Sequence, residues 1–237
     1  MPYKTLPEFH RAFCGEGQDA SPAMLGTRFD RRGTFLQEPG NTIVCHVRGG
    51  SRTQAAMVKL RDRLQALDAG RHFTWTPVSS YHMTLFNGVI ESQREPGHWP
   101  ADLPLDASIP EVTEYLVPRL SGFSGMAPFS VKLESVTPLG LLVTGATAED
   151  EATIRRIRDE LTVPFGYRKP GHDTYPLHLT LGYIIRWLPR DLAPVYMREL
   201  EEMGETFRQE VPVLELGPAE FCTFQDMNHF EPVLRLS

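Results

Sequence analysis

The chain has 237 residues, 41% of them hydrophobic and 23% charged, which suits one sizeable globular domain or two small ones. Its formal net charge of −6 argues against a protein that coats long nucleic acid, although a small phosphorylated molecule or one nucleic-acid end held in a local basic pocket stays compatible. No apolar run approaches bilayer-spanning length, residues Met1 to Gly15 mix Lys4, Glu8, His10 and Arg11 among their apolar residues unlike a signal peptide, and Cys14, Cys45 and Cys222 make neither a disulfide framework nor a zinc site, so a cytoplasmic setting without membrane contact is expected.

Residues 1–40 are rich in Gly, Pro and Arg and lack a sustained period; they read as a mostly irregular N-terminal arm or lid, followed by a single domain over 41–237. Arg28, Phe29, Arg31 and Arg32 could reach from this arm toward a bound anion, and the arm is expected to pack on the core or border a cleft. Thr42–Val47 is a β-branched run and predicts a strand. Gly49-Gly50-Ser51 breaks it, with Ser51 as a cap for a helix over Thr53–Leu67, where Ala56, Met57, Leu60, Leu64 and Leu67 recur at helical spacing. Phe73–Val78 and Tyr81–Ile90 read as strands, Pro96–Pro110 as a loop, and Glu111–Leu120 as a short helix. Phe129–Val136 and Leu139–Thr144 read as strands, and Glu149–Leu161 as a helix with Ile154, Ile157 and Leu161 inward. Arg155, Arg156 and Arg158 on that helix read as a salt-bridged solvent face. A loop over Thr162–Pro176 leads to another strand; then come a helix over Asp191–Phe207 and strands over Val211–Leu216, Glu220–Gln225 and Pro232–Leu236.

Two strings dominate this map: Tyr81-His82-Met83-Thr84-Leu85 and Leu177-His178-Leu179-Thr180-Leu181. Side chains alternate faces along a strand, so His82 shares a face with Thr84 and His178 with Thr180, while apolar residues fill the opposite faces. Each string closes a strand–helix–strand unit, with 40 positions from Thr42 to His82 and 37 from Leu141 to His178. That near-equality reads as an internal duplication whose halves would bring both strings to one cleft. Imidazole accepts a proton when neutral and donates one when charged, both near neutral pH. Two in one cleft can serve as base and acid on a single phosphate, and two threonine hydroxyls can donate to its non-bridging oxygens. No metal is required, and the strings supply no carboxylate cage for one.

Other residues are candidates by position. Phe86 has the parity of His82 and Thr84, which would place it in the cleft to stack on a base; Gly182 is its counterpart in the second copy. His46 alternates with Ile43, Cys45 and Val47 and would face the same way. The loop Tyr167-Arg168-Lys169-Pro170-Gly171-His172-Asp173-Thr174-Tyr175 mixes cations with aromatics, a combination that suits a phosphate and a base, with Arg168 and Tyr175 as its candidate contacts.

The doubled His-apolar-Thr-apolar signature, one copy per duplicated half, resembles the two-histidine (2H) phosphoesterase superfamily, which includes RNA ligase-like proteins and cyclic-nucleotide phosphodiesterases. Tyr175-Pro176-Leu177-His178-Leu179-Thr180-Leu181 is similar to the aromatic-Pro-His-apolar-Thr-Leu form of its second copy, with Leu177 inserted between proline and histidine. Gly40-Asn41-Thr42-Ile43-Val44-Cys45-His46 resembles an uncharacterised branch found in bacteria and fungi. The resemblance implies an α+β fold of two duplicated lobes, with mostly antiparallel sheets lining a central cleft and helices outside. It implies chemistry without a cofactor or metal on a small nucleotide or RNA end carrying a cyclic phosphate, with His82 and His178 as acid and base and Thr84 and Thr180 as phosphate clamps. A monomer without an extended nucleic-acid surface is expected. A non-catalytic nucleotide- or RNA-end-binding module, and end-joining of RNA halves, are the alternative readings.

Overall fold

The computed structural model describes residues 5–17 and 21–236; of the arm, residues 1–4 and 18–20 lie outside the described part. The strands are β1 (Gly40–Val47), β2 (Phe73–Trp75), β3 (His82–Phe86), β4 (Val131–Thr137), β5 (Gly140–Gly145), β6 (His178–Thr180), β7 (Gly182–Ile184), β8 (Leu216–Phe224) and β9 (Glu231–Arg235). The helices are α1 (Leu6–Phe13), α2 (Arg52–Ala66), α3 (Ile109–Ser121), α4 (Ala148–Phe165) and α5 (Ala193–Glu210). Seven strands form an antiparallel sheet in the order β4-β5-β6-β3-β1-β8-β9, while β2 pairs with β7 separately. Among the described residues no helix is long and apolar enough to cross a membrane.

The duplication is visible in this order. Outward from the middle, one side runs β3, β1, β8 and the other β6, β5, β4, and the units β1–α2–β3 and β5–α4–β6 repeat the same chain path. The halves meet along β3 and β6, where Met83 and Leu179 form the registered pair. Both motif strands therefore lie side by side at the centre of the fold. Their apolar faces hold them there: Met83, Leu85, Leu177, Leu179 and Leu181 are all buried, each burial stabilising by about 1.5 to 3 kcal/mol. Helix α4 packs against β5 and also β3, so it spans the two halves.

Three expectations change. The arm is not mostly irregular: α1 starts with a capping box between Thr5 and Glu8, and buries Phe9 and Phe13, with Phe9 against Tyr196 of α5. Its two turns are too short for a periodicity window, although Thr5-x-x-Glu8 marked its start. Residues 211–215 are not a strand, and β8 runs unbroken from Leu216 to Phe224, carrying Gly217 and Pro218 at its start. The third change is Arg158, which is buried with Ile154, Ile157, Leu161 and Phe165 on the inner face of α4. Its guanidinium donates to the Leu85 carbonyl at 2.5 Å and the His172 carbonyl at 3.2 Å, and sits 4.4 Å from the Tyr175 ring centroid. Burial lowers its pKa to about 10, so the cation persists at neutral pH. Arg158 thus ties the first motif strand to the loop before the second. Arg158→Met is expected to lower the free energy of unfolding by about 2 kcal/mol, because two buried carbonyls lose their donor while one desolvated charge is relieved; urea denaturation measures it.

Candidate active site

His82, Thr84, His178 and Thr180 line one cavity of about 360 Å³ at the junction of β3 and β6. Strand alternation puts them there, opposite the buried apolar residues. The two imidazoles are held alike. His82 Nδ1 lies 2.7 Å from the Ser80 carbonyl and His178 Nδ1 lies 2.9 Å from the Pro176 carbonyl, each two residues upstream. A carbonyl oxygen only accepts, so both Nδ1 atoms carry the hydrogen and each neutral ring keeps its lone pair on Nε2.

Removal from water favours the neutral form of both rings. Burial pulls the His82 pKa down to about 3, the Ser80 hydrogen bond opposing it and the nearby His46 and His178 adding to it. His178 is lowered chiefly by burial, the Pro176 hydrogen bond opposing, and further by Arg28. Phe230 packs on His82 with ring centroids 4.1 Å apart, which accounts for part of that desolvation. Tyr175 stands beside the Thr84 hydroxyl and also donates to Asn87 Oδ1 at 3.4 Å, and Tyr183 stands beside Thr180.

From the arm, Arg28 enters the cavity wall near His178; its Nε donates to Glu38 at 2.6 Å and its guanidinium lies 5.7 Å from the Tyr183 ring centroid. A second, largely apolar cavity of about 470 Å³ shares Met24, Arg28, His178, Thr180 and Tyr183 with the first and is also lined by Phe13 and Phe29 of the arm. The arm therefore borders the site, and Phe29 is buried.

Three other candidates are placed elsewhere. Phe86 is buried against Phe165, Tyr167 and His172 and does not reach the cavity. A bulge is the reason: Thr84 pairs with Val44 and Phe86 with the adjacent Ile43, so one extra residue on β3 breaks the alternation. Arg168 lies outside the cavity, ion-paired to Asp159 and Asp173. The cation that this loop sends into the cavity is its neighbour Lys169. His46 pairs in register with His82, its ring centroid 6.3 Å away, but its Nδ1 is taken by Glu220 at 3.0 Å and it stands beside the cavity. Tyr175 does line the cavity. Tyr183, Phe230 and Asn87 were missed, because only the β6–β7 path, the β8–β9 turn and the bulge bring them in.

Among the described residues, Asp159, His172 and Asp173 are the group close enough to share a cation, and the Arg168 guanidinium already bridges both carboxylates.

The family model 2H-phosphodiest, described as a domain of unknown function (DUF1868), matches residues 28–142, a span from Arg28 through the first motif. The crystal structure of a conserved protein of unknown function, ATU0111, from Agrobacterium tumefaciens str. C58 is 43% identical in sequence. It superposes with a TM-score of 0.91 over 93% of this chain and 95% of that one. No curated protein matches the chain. The chain belongs to the 2H phosphoesterase superfamily, a class of phosphodiesterase-type enzymes.

Proposed function

We propose that this protein is a metal-independent phosphodiesterase that opens 2′,3′-cyclic phosphates on small nucleotides or RNA ends. One observation carries the reading: two imidazoles in one cavity, each with Nδ1–H pinned to a backbone carbonyl and Nε2 left free, and each with a threonine two residues on. Water attacks phosphorus while one Nε2 takes its proton. The bond from phosphorus to one ribose oxygen breaks, and the protonated Nε2 of the other ring delivers a proton to that oxygen, leaving a phosphate monoester. One of His82 and His178 is the base, and the other carries the acid proton. Thr84 and Thr180 donate to the non-bridging oxygens, with Arg28 supplying positive charge beside His178.

Screening 2′,3′-cyclic nucleotides, 2′–5′ dinucleotides and cyclic ADP-ribose phosphate with EDTA present tests this. Turnover of the 2′,3′-cyclic nucleotides is expected; binding without turnover of any would favour a nucleotide-binding module. Thr84→Val and Thr180→Val are each expected to lower kcat/KM by about 1 to 3 kcal/mol of transition-state stabilisation, since each removes one donor to developing charge; initial-rate kinetics read this directly.

A further inference from the structure

Among the described residues, Lys169 is the cation of this cavity without a carboxylate. Arg28 has Glu38, Arg168 has Asp159 and Asp173, and the cavity-lining His98 stands by Glu95. Lys169 Nζ donates to the Gly88 carbonyl at 2.7 Å and lies 5.9 Å from the Tyr167 ring centroid, and among the described residues no acidic group meets it. Burial alone lowers its pKa to about 8, which leaves it mostly protonated at neutral pH. An ammonium has three donors, and here one is used.

The anchor is rigid. Asn41 accepts from Val89 through its side chain and donates to Thr113, and a Cβ on Gly88 would meet the Asn41 carbonyl at 2.2 Å, so this segment lies directly on β1. Asn87, next to Gly88 in the chain, and Gln93 also line the cavity, and their side-chain NH2 groups have no acceptor among the described residues. The Lys169 anchor is set along β1 from the motif residues: Thr84 pairs with Val44, whereas Gly88 lies against Asn41, three residues along β1, and Asn87 bridges the two places through the Tyr175 hydroxyl that also stands beside Thr84. A partly buried charge without a counter-charge is costly unless an anion arrives to meet it.

We propose that Lys169, with Asn87 and Gln93, forms a second anion subsite, so that the preferred substrate carries a phosphate monoester in addition to the diester that reacts. This rests on the phosphodiesterase reading above for the identity of the reacting group, but its test does not require turnover. Calorimetric titration of the full chain with adenosine 3′,5′-bisphosphate and adenosine 3′-monophosphate measures the preference for the second phosphate. The wild type is expected to bind the bisphosphate about tenfold more tightly or better, the size of one charge-assisted hydrogen bond. Lys169→Met should bring the ratio close to one, and Lys169→Arg should retain most of it. A ratio near one in the wild type, or one that survives Lys169→Met, overturns the subsite, and the wild-type ratio decides even where Lys169→Met fails to fold. A preserved ratio without turnover of any cyclic phosphate removes the functional reading and leaves the subsite standing. Turnover of cyclic phosphates with no ratio removes the subsite alone, and binding of neither nucleotide overturns both.

Discussion

Replacing either His82 or His178 by alanine is expected to lower kcat on a 2′,3′-cyclic nucleotide by about 10² to 10⁴, with the double variant little worse than either single one. The expectation follows from the shared cavity and the shared proton. One imidazole must receive a proton from water as the other gives one to the leaving oxygen, so removing either breaks the same step. Both rings have Nδ1 fixed on a carbonyl two residues upstream, and a glutamine or asparagine in their place supplies no equivalent lone pair at Nε2. Single-turnover kinetics separates this loss from slower binding. The pair is retired if His82→Ala turns over unchanged, or if the two losses simply multiply as for independent groups.

Acidity is expected to act on activity and stability in opposite directions. Both rings are lowered from the usual histidine value by burial, His82 to about 3. In the free protein the acid proton is therefore present only below the usual histidine range, so kcat/KM should peak on the acid side of neutrality and fall as pH rises. A bound phosphodiester anion favours the imidazolium, so the alkaline limb of kcat should lie at higher pH than that of kcat/KM. For stability, the unfolded chain protonates His82 near pH 6.5 while the native chain does so only near 3. The unfolded state thus binds more protons in between, and the contribution present in full above about pH 6.5 is lost as pH falls toward 3. At 1.36 kcal/mol per unit this is about 2 kcal/mol between pH 6.5 and 5 from His82, with His178 acting in the same direction. His82→Asn should flatten that part of the curve in urea titrations at pH 5 and 7. An equal slope in both proteins would show that the ring is not held neutral in the native state.

The motif strands, their apolar backs, the duplicated strand–helix–strand path and the Ser51 cap were all legible in the chain, because each depends on residues within a few positions of one another. Period-two alternation sufficed to put His82 with Thr84 and His178 with Thr180. It failed at Phe86, where the β3 bulge that carries the ring into the core is a property of pairing with β1. It failed for Arg158 in a different way. Its spacing from Ile154, Leu161 and Phe165 already placed it on the inner face, but its charge outweighed the pattern until Leu85 and His172 supplied the carbonyls that make burial tolerable.

The choice between Arg168 and Lys169 shows the same division. Composition marked their loop as cationic, whereas only the position of Asp159 and Asp173 on one side and Gly88 on the other decided which cation is neutralised outside and which faces the cavity. The chain by itself therefore determined the chemistry available and the two strands that present it, because local periodicity governs which side chains share a face. Tertiary structure decided which charges, rings and carbonyls surround that chemistry, because partners 147 and 174 positions apart, Ser80 with Met227 and His46 with Glu220, meet only after the halves close on β3 and β6.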